Sequence, residues 1–357
     1  MSRDGGSIVN SKHTPPASLR SAALPARAPF VCFADIFPAN GEICPHRGVP
    51  GCAAFSCKTP HSCYNIIKKG LIKLLKTSTE IASIAEIVGE LKAVELVAKA
   101  GFDGYDLSLF EMARYDGRQV VQKGHSLQSK DALRYVREIS QVAADNGIVC
   151  NQSHAPFPVY CPEIRDLMKT AIEFTAEAGG KIVVIHPDNY RSAEENAEMY
   201  LQLLPFAKSC GVKIATENMW NWYAGDDHAS PSACSDPESF LAHLSAVNDP
   251  DFVACLDIGH AAMEGMNTSP AEMIHALGHH LQALHIHDND CRGDHHQLPF
   301  TMKIDFDAVV GALKDVGYSH WLTLEADMYC HGCSADDVPQ KVVDMANSAR
   351  KIAEMMG

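Results

Sequence analysis

From about residue 78 the chain alternates between two patterns. Stretches with apolar residues every three or four positions are separated by short apolar runs that end in polar side chains. "EIASIAEIVGELKAVELVAKAG" (80–101) reads as one amphipathic helix closed by Gly101. "FDGYDLSL" (102–109) reads as a strand. "SKDALRYVREISQVAADNG" (129–147) reads as a helix with Ser129 as N-cap and Gly147 at its end. The alternation continues through strand 148–154, helix 162–180, strand 181–186, helix 192–211, strand 212–217, a Trp-rich loop, helix 236–247 and strand 252–257. It ends with a helix around 270–277, strand 281–287, a long loop, helix 305–317, strand 321–327 and helix 336–356.

Strand–helix alternation at ~30 to 40 residues per unit means parallel strands with crossover helices. Seven strands are counted, and an eighth must precede the first helix, where "GLIKLLKTS" (70–78) is the candidate. Eight units make an α/β fold of the (β/α)8 TIM-barrel type. An open doubly wound sheet is the alternative, but no Gly-rich phosphate loop follows an early strand.

The first seventy residues differ. They hold eight of the 19 prolines (15, 16, 25, 29, 38, 45, 50 and 60) and lack sustained periodicity. Residues 1–69 are therefore expected to be a poorly ordered extension, or leader sequence, and 70–357 the barrel. A zinc knuckle built from Cys44, His46, Cys52, Cys57, His61 and Cys63 is the rival, but the spacings match no recognised pattern.

Side chains alternate faces along a strand, and a barrel strand points one face at the axis. Counting back from each strand end puts Gln152 with His154, Val184 with His186, Ala215 with Glu217, and Val253 and Cys255 with Asp257. It also puts Ala283 with His285 and His287, and Thr323 with Glu325. Six successive strands thus deliver His154, His186, Glu217, Asp257, His285 and Glu325 to one rim, where TIM-barrel active sites sit. One such residue alone is more often solvated or hydrogen-bonded than a ligand. Six together are different, because converging carboxylates repel unless protonated or bridged by cations.

The segments "SHAP" (153–156), "IHP" (185–187), "TEN" (216–218), "LDIGHA" (256–261), "HIHDND" (285–290) and "LEAD" (324–327) occur in this order and spacing. Over about residues 79–357 the chain resembles the xylose-isomerase-like TIM barrels, which include sugar-phosphate isomerases, ketose 3-epimerases and endonuclease-IV-type AP endonucleases. The resemblance implies a metal quartet of Glu217, Asp257, His285 and Glu325, choosing His285 over His287 because an acid, Asp288, follows it three residues later. It implies a substrate or second-metal role for His260. Asp294 and His296 complete, with His154 and His186, the nine ligand types of the trinuclear zinc site of the AP endonucleases. "LPFTMKID" lacks the glycines usual at that point of the family pattern.

The function implied is isomerisation or epimerisation of a small sugar or sugar phosphate. The cofactor is a divalent ion (zinc, manganese, cobalt or magnesium), and a metal-stabilised enediolate passes its proton through Glu217 and Glu325. His154, His186, His260 and Arg292 would bind substrate, and Trp220 and Trp222 would wall the sugar. The alternative is a zinc phosphoesterase acting on abasic DNA. The net charge of -14 gives no basic footprint for nucleic acid, although metal-binding carboxylates inflate that count. No apolar run reaches the length of a membrane span, and 13 scattered cysteines suit a reduced, cytoplasmic protein. Within "CHGC" (330–333) the cysteines are expected to be reduced loop thiols. Self-association as a homo-oligomer is left open.

Overall fold

The computed structural model describes residues 74–357 apart from Gln122 and Ala224. The extension 1–69, its candidate zinc knuckle and the start of the 70–78 strand lie outside the described residues. Eight parallel strands form the sheet: β1 (Thr77–Glu80), β2 (Gly104–Ser108), β3 (Val149–His154), β4 (Ile182–Val184), β5 (Lys213–Glu217), β6 (Phe252–Asp257), β7 (Leu281–His285) and β8 (Leu322–Leu324). Their order is β7-β6-β5-β4-β3-β2-β1-β8. Just past β7 the Ile286 N–H donates to the Thr323 carbonyl (2.9 Å), and the Glu325 N–H donates to the Ile286 carbonyl (3.0 Å). These bonds close the sheet into a TIM barrel.

Helices α1 (Ala82–Val88), α2 (Glu90–Ala100), α3 (Ala132–Asp145), α4 (Met168–Glu177), α5 (Ala193–Ser209) and α6 (Pro237–Val247) surround the first half of the sheet. After β6 come α7 (Ile258–Ala262), α8 (Pro270–Leu277), α9 (Phe306–Asp315) and α10 (Val338–Met356). Two caps follow from local sequence. Ser192 and Glu195 form a reciprocal capping box on α5, and the Asp236 side chain accepts from Ser239 N–H ahead of Pro237 on α6. Among the described residues no helix is long and apolar enough to cross a membrane.

Four expectations need correction. The helix expected at 162–180 is a short helix, Pro162–Arg165, and then α4, parted by a turn at Asp166 and Leu167. The helix expected at 80–101 is two helices, broken at Gly89, whose φ of 78° and ψ of 154° no helix can hold. Glu80, expected at the helix start, ends β1 instead, so the strand falls at 77–80 rather than 70–78. Ser129 does not cap α3, which begins after Asp131; the Ser129 hydroxyl accepts from Asp131 N–H in the preceding turn. Of the "CHGC" pair, Cys330 is buried at the end of a short helix and Cys333 is half-buried. Both thiols are free.

The barrel interior is asymmetric. Val184, Ala215, Val253, Cys255 and Ala283 pack on one side as an apolar layer. The other side is hydrogen-bonded: Ser78 Oγ donates to Thr323 Oγ1 (2.9 Å), Asn151 Nδ2 to the same oxygen (3.1 Å), and Gln152 Nε2 to Asp106 Oδ2 (2.9 Å). A bulge in β3, where Tyr105 faces Cys150 but Asp106 faces Gln152, brings both Asn151 and Gln152 into this network.

The loop after β7 is fastened at its base. Asp288 N–H donates to Gln297 O (2.7 Å), and Gln297 N–H donates to Asp288 O (2.9 Å). The buried Asp288 carboxylate then accepts from the N–H groups of Thr301 (3.0 Å), Met302 (2.8 Å) and Ile304 (3.0 Å). Asp288→Ala would strand three donors, so a loss on the order of 3 kcal/mol is expected. Thermal unfolding should show it as a clear fall in Tm; an unchanged Tm would mean that water replaces the carboxylate.

Candidate metal centre at the barrel rim

His154, Glu217, Asp257 and His285 are the last residues of β3, β5, β6 and β7. His186 follows β4, and Glu325 directly follows β8. The inner-face alternation therefore carries all six to the C-terminal rim, and all but His186 are buried.

His285 stands at the centre. Its Nδ1 lies 3.1 Å from Glu217 Oε1 and 3.3 Å from Glu325 Oε2, while Nε2 faces Asp106 Oδ2 at 3.6 Å. Asp106, itself held by Gln152, is the carboxylate nearest that outer nitrogen, but at 3.6 Å it makes no hydrogen bond to it. One ligand atom each from Glu217, Asp257, His285 and Glu325 lies within 4.8 Å of the others. Asp257 Oδ1 accepts the His260 N–H (2.6 Å), which caps α7. Asn218 brackets the Asp257 backbone, accepting its N–H (2.8 Å) and donating to its carbonyl (2.9 Å).

Two further groups flank the quartet. His154 Nε2 and His186 Nε2 are 2.9 Å apart and lie 3.5 and 3.2 Å from Glu217 Oε2. On the other side, Asp294 Oδ2 lies 3.3 Å from His260 Nε2 and 3.1 Å from His296 Nε2. The outer nitrogens of these two histidines are satisfied: His260 Nδ1 faces the Asn218 carbonyl and His296 Nδ1 the Glu325 carbonyl, both at 2.8 Å. In the neutral rings each Nε2 would then carry the lone pair and could hold an ion. His260, His287, Asp294 and His296 also gather within 4.8 Å.

Burial alone would lower His260, His285 and His296, yet the acidic groups facing them hold all three above their ordinary values, so acids and imidazoles share the charge of this site. Burial pushes Glu325 well above its ordinary value, and the negative charges of Glu217 and Asp257 add to the rise. Burial would also raise Glu217, but His285, His186 and His154 outweigh it and hold that carboxyl well below its ordinary value. Asp257 is likewise raised by burial but drawn down to about 2 by His260 and His287. Burial and the neighbouring His154 push His186 down to about 4. A cation among these groups would let Glu325 ionise with the rest.

The donor set fits a divalent ion on a second count. Asp257 Oδ2 is buried with no hydrogen-bond partner among the described residues, and Glu217 Oε2 and Asp294 Oδ1 face only imidazole nitrogens, without a well-aligned hydrogen bond. Leaving ionised oxygens so is costly without a ligand. Three carboxylates and one imidazole suit manganese, cobalt, magnesium or zinc; the His-rich flanking groups lean towards zinc.

Over the rim opens a cleft of about 280 Å³. His154, His186, Glu217, His260, Asp294, His296 and Glu325 form its floor, and Phe110, Phe157, Tyr160 and Trp220 its walls. A larger cleft, about 720 Å³, lies at the opposite end, by the N-terminal residues Val149, Ile182 and Lys213 of β3, β4 and β5. It contains none of the rim carboxylates or rim histidines.

Two expected site residues are absent from the cleft. Arg292 is exposed and pairs with Glu264 at 3.4 Å, because the clasped loop turns it to solvent. Trp222 is 46% exposed and does not line the cleft, whereas Trp220, held in a two-residue ribbon with Pro231, packs edge-on to His260. Sequence reasoning missed Asp106, Glu80, Phe110 and Phe157. Asp106 was accessible to the same face-counting applied to "YDLS". Glu80 turns back to cap α1 through Ser83 N–H, and burial with Asp327 and Asp106 nearby pushes it up to about 7.

Residues 94–351 match the sequence family described as xylose isomerase-like TIM barrel. The protein MJ1311 of Methanocaldococcus jannaschii is 25% identical over 258 residues, spanning 67% of this chain and 84% of its own. The crystal structure of a D-tagatose 3-epimerase-like protein superposes with a TM-score of 0.57 at 22% identity, covering 79% of this chain and 100% of that one. A D-allulose 3-epimerase from Methylomonas sp. gives 0.58 at 17% identity, covering 79% and 99%. At such identities these two structures speak to fold. The family match, which takes in every strand from β2 to β8 and the whole rim, shows that this chain belongs to the xylose isomerase-like TIM barrel family.

Proposed function

We propose that the chain is a divalent-metal-dependent isomerase or epimerase of a small sugar or sugar phosphate. The observation that carries this reading is the approach of Glu217 and Glu325 to the same nitrogen of His285, beneath a small cleft with aromatic walls. Glu217, Asp257, His285 and Glu325 would hold the ion, which supplies a Lewis acid that acidifies the C–H next to a sugar carbonyl. One of Glu217 and Glu325 then takes that proton and the other returns it, as two carboxylates on separate strands can do. His154, His186 and His260, on the cleft floor, would contact the hydroxyls. That solved structures of the same fold are named a D-tagatose 3-epimerase-like protein and a D-allulose 3-epimerase supports the choice.

Trp220 would lie against an apolar face of the sugar. Trp220→Ala is expected to raise KM by ~2- to 10-fold, the worth of one aromatic contact, with a smaller change in kcat. Steady-state kinetics check it, and an unchanged KM would return Trp220 to loop packing. The free thiols among the described residues fit a reducing compartment such as the cytoplasm.

The His260–Asp294–His296 group favours one rival, a multi-zinc phosphoesterase acting on abasic DNA. Against it, no lysine or arginine among the described residues lines the cleft, so a nucleic-acid backbone finds no cationic contact there. The same fact favours a free sugar over its phosphate. One preparation, given a panel of ketoses and ketose phosphates in heavy water and separately an abasic duplex, separates the two. Solvent deuterium at the carbon next to the carbonyl is expected. Incision of the duplex at catalytic rates with no label in any sugar would overturn the proposal.

A further inference from the structure

His287 is fully buried between the quartet and the flanking His–Asp group. Its Nε2 lies 3.1 Å from Asp257 Oδ1 and 3.4 Å from Asp294 Oδ1. By proximity it could be a fourth ligand beside His260, Asp294 and His296. Two features argue otherwise. Its ring stacks on His296 with centroids 3.9 Å apart and planes 12° from parallel. Nitrogen lone pairs lie in the ring plane, so two such parallel rings cannot both aim at one ion ~2.0–2.1 Å from each nitrogen. The outer nitrogens of His260 and His296 face carbonyls, whereas His287 Nδ1 is buried with no partner among the described residues. An orphaned N–H is disfavoured there, which places the proton on Nε2, where two carboxylate oxygens can accept it.

The effect falls on Asp257. Its Oδ1 already accepts the His260 N–H, and the His287 contact gives that oxygen a second donor. Oδ2 remains buried with none. The chain also keeps a space for this ring: a Cβ at position 259 would stand 1.9 Å from His287 Cε1, so only glycine fits beneath it.

We propose that His287 is a positioning residue that donates Nε2–H to Asp257 Oδ1, turning Asp257 Oδ2 towards the quartet's ion, and that through Asp294 Oδ1 it ties the quartet to the His260–Asp294–His296 group. This rests on the metal reading of the quartet but not on the identity of the substrate.

The test is titration of the chelator-stripped full chain with manganese(II), read by calorimetry. H287F keeps a ring against His296 but removes the donor. It should bind the quartet's ion ~10- to 100-fold more weakly, with an unchanged number of ions and little change in the metal-free Tm. H287Q, which can still donate from its amide, should recover most of the loss; H287N, too short to reach, should not. G259A displaces the ring while keeping His287 and should weaken binding as H287F does. Should H287F fail to fold, the contrast between H287Q and H287N decides. Wild-type affinity in both H287F and G259A, or in H287N, would overturn the proposal. So would the loss of one whole equivalent of ion with the remaining ion bound as in the wild type, which would make His287 a ligand. A wild type that binds manganese(II) as expected but turns over no sugar would sink the substrate reading and leave this one standing.

Discussion

Glu217→Gln and Glu325→Gln are each expected to lower kcat by about 10²- to 10⁴-fold at saturating metal, the usual contribution of a positioned acid or base. Gln keeps the shape of Glu but replaces one oxygen with an NH2 group and removes the charge, so metal affinity should fall as well and the comparison is made at saturating metal. The two variants should not be equivalent elsewhere. Glu217 faces His154, His186 and His285, so its loss leaves His154 and His186 with no carboxylate beside them, while His285 keeps Glu325. Glu325 is the carboxyl that burial pushes towards neutrality, so its amide should perturb the fold less. Solvent-deuterium incorporation measured beside turnover checks the assignment: either variant with full turnover and full labelling would remove that residue from proton transfer.

Loss of Asp257 should be felt first in metal content. Asp257→Ala is expected to yield purified protein without the quartet's ion and without activity, because the oxygen lost is one of the buried, unpartnered ones that an ion would satisfy. It also deletes the cap on α7, which costs about 1 kcal/mol. Asp257→Asn separates the two effects: its amide oxygen can still cap α7, while the charge is gone. Elemental analysis and thermal unfolding of both variants check this. Full metal content with normal turnover in the alanine variant would mean that the quartet is wrongly assigned.

The rim was readable because alternation holds over the last residues of these strands, past the bulge in β3. Once Glu217, Asp257 and His285 end their strands, their direction follows, and the apolar layer of Val184, Ala215 and Ala283 beneath them obeys the same count. β1 was hard to place for the opposite reason. Its inward Ser78 joins a polar network and bonds Thr323, so "TSTE" carries no apolar signature, whereas the apolar run "LIKLL" lies just before it in the sequence. Arg292 and Trp222 sit within a few residues of site positions, yet loop geometry turns them outward, which no periodicity encodes. His287 was visible by face-counting, but its role depends on ring stacking with His296, a contact between a strand extension and the loop beyond it.

The clasp at the base of the loop after β7 bears on how amide protons exchange with solvent. Residues 289–296 have almost no regular secondary structure, and a loop of that kind ordinarily exchanges within the fast population. Here the amides of Asp288, Gln297, Thr301, Met302 and Ile304 are bonded to Asp288 or to its partner Gln297. They should exchange together, through one opening event, and far more slowly than the intervening residues. The segment carrying Asp294 and His296 would then behave as a tethered arch on fixed footings. An ion arriving there would meet ligands that are already ordered, so little chain entropy would be lost on binding.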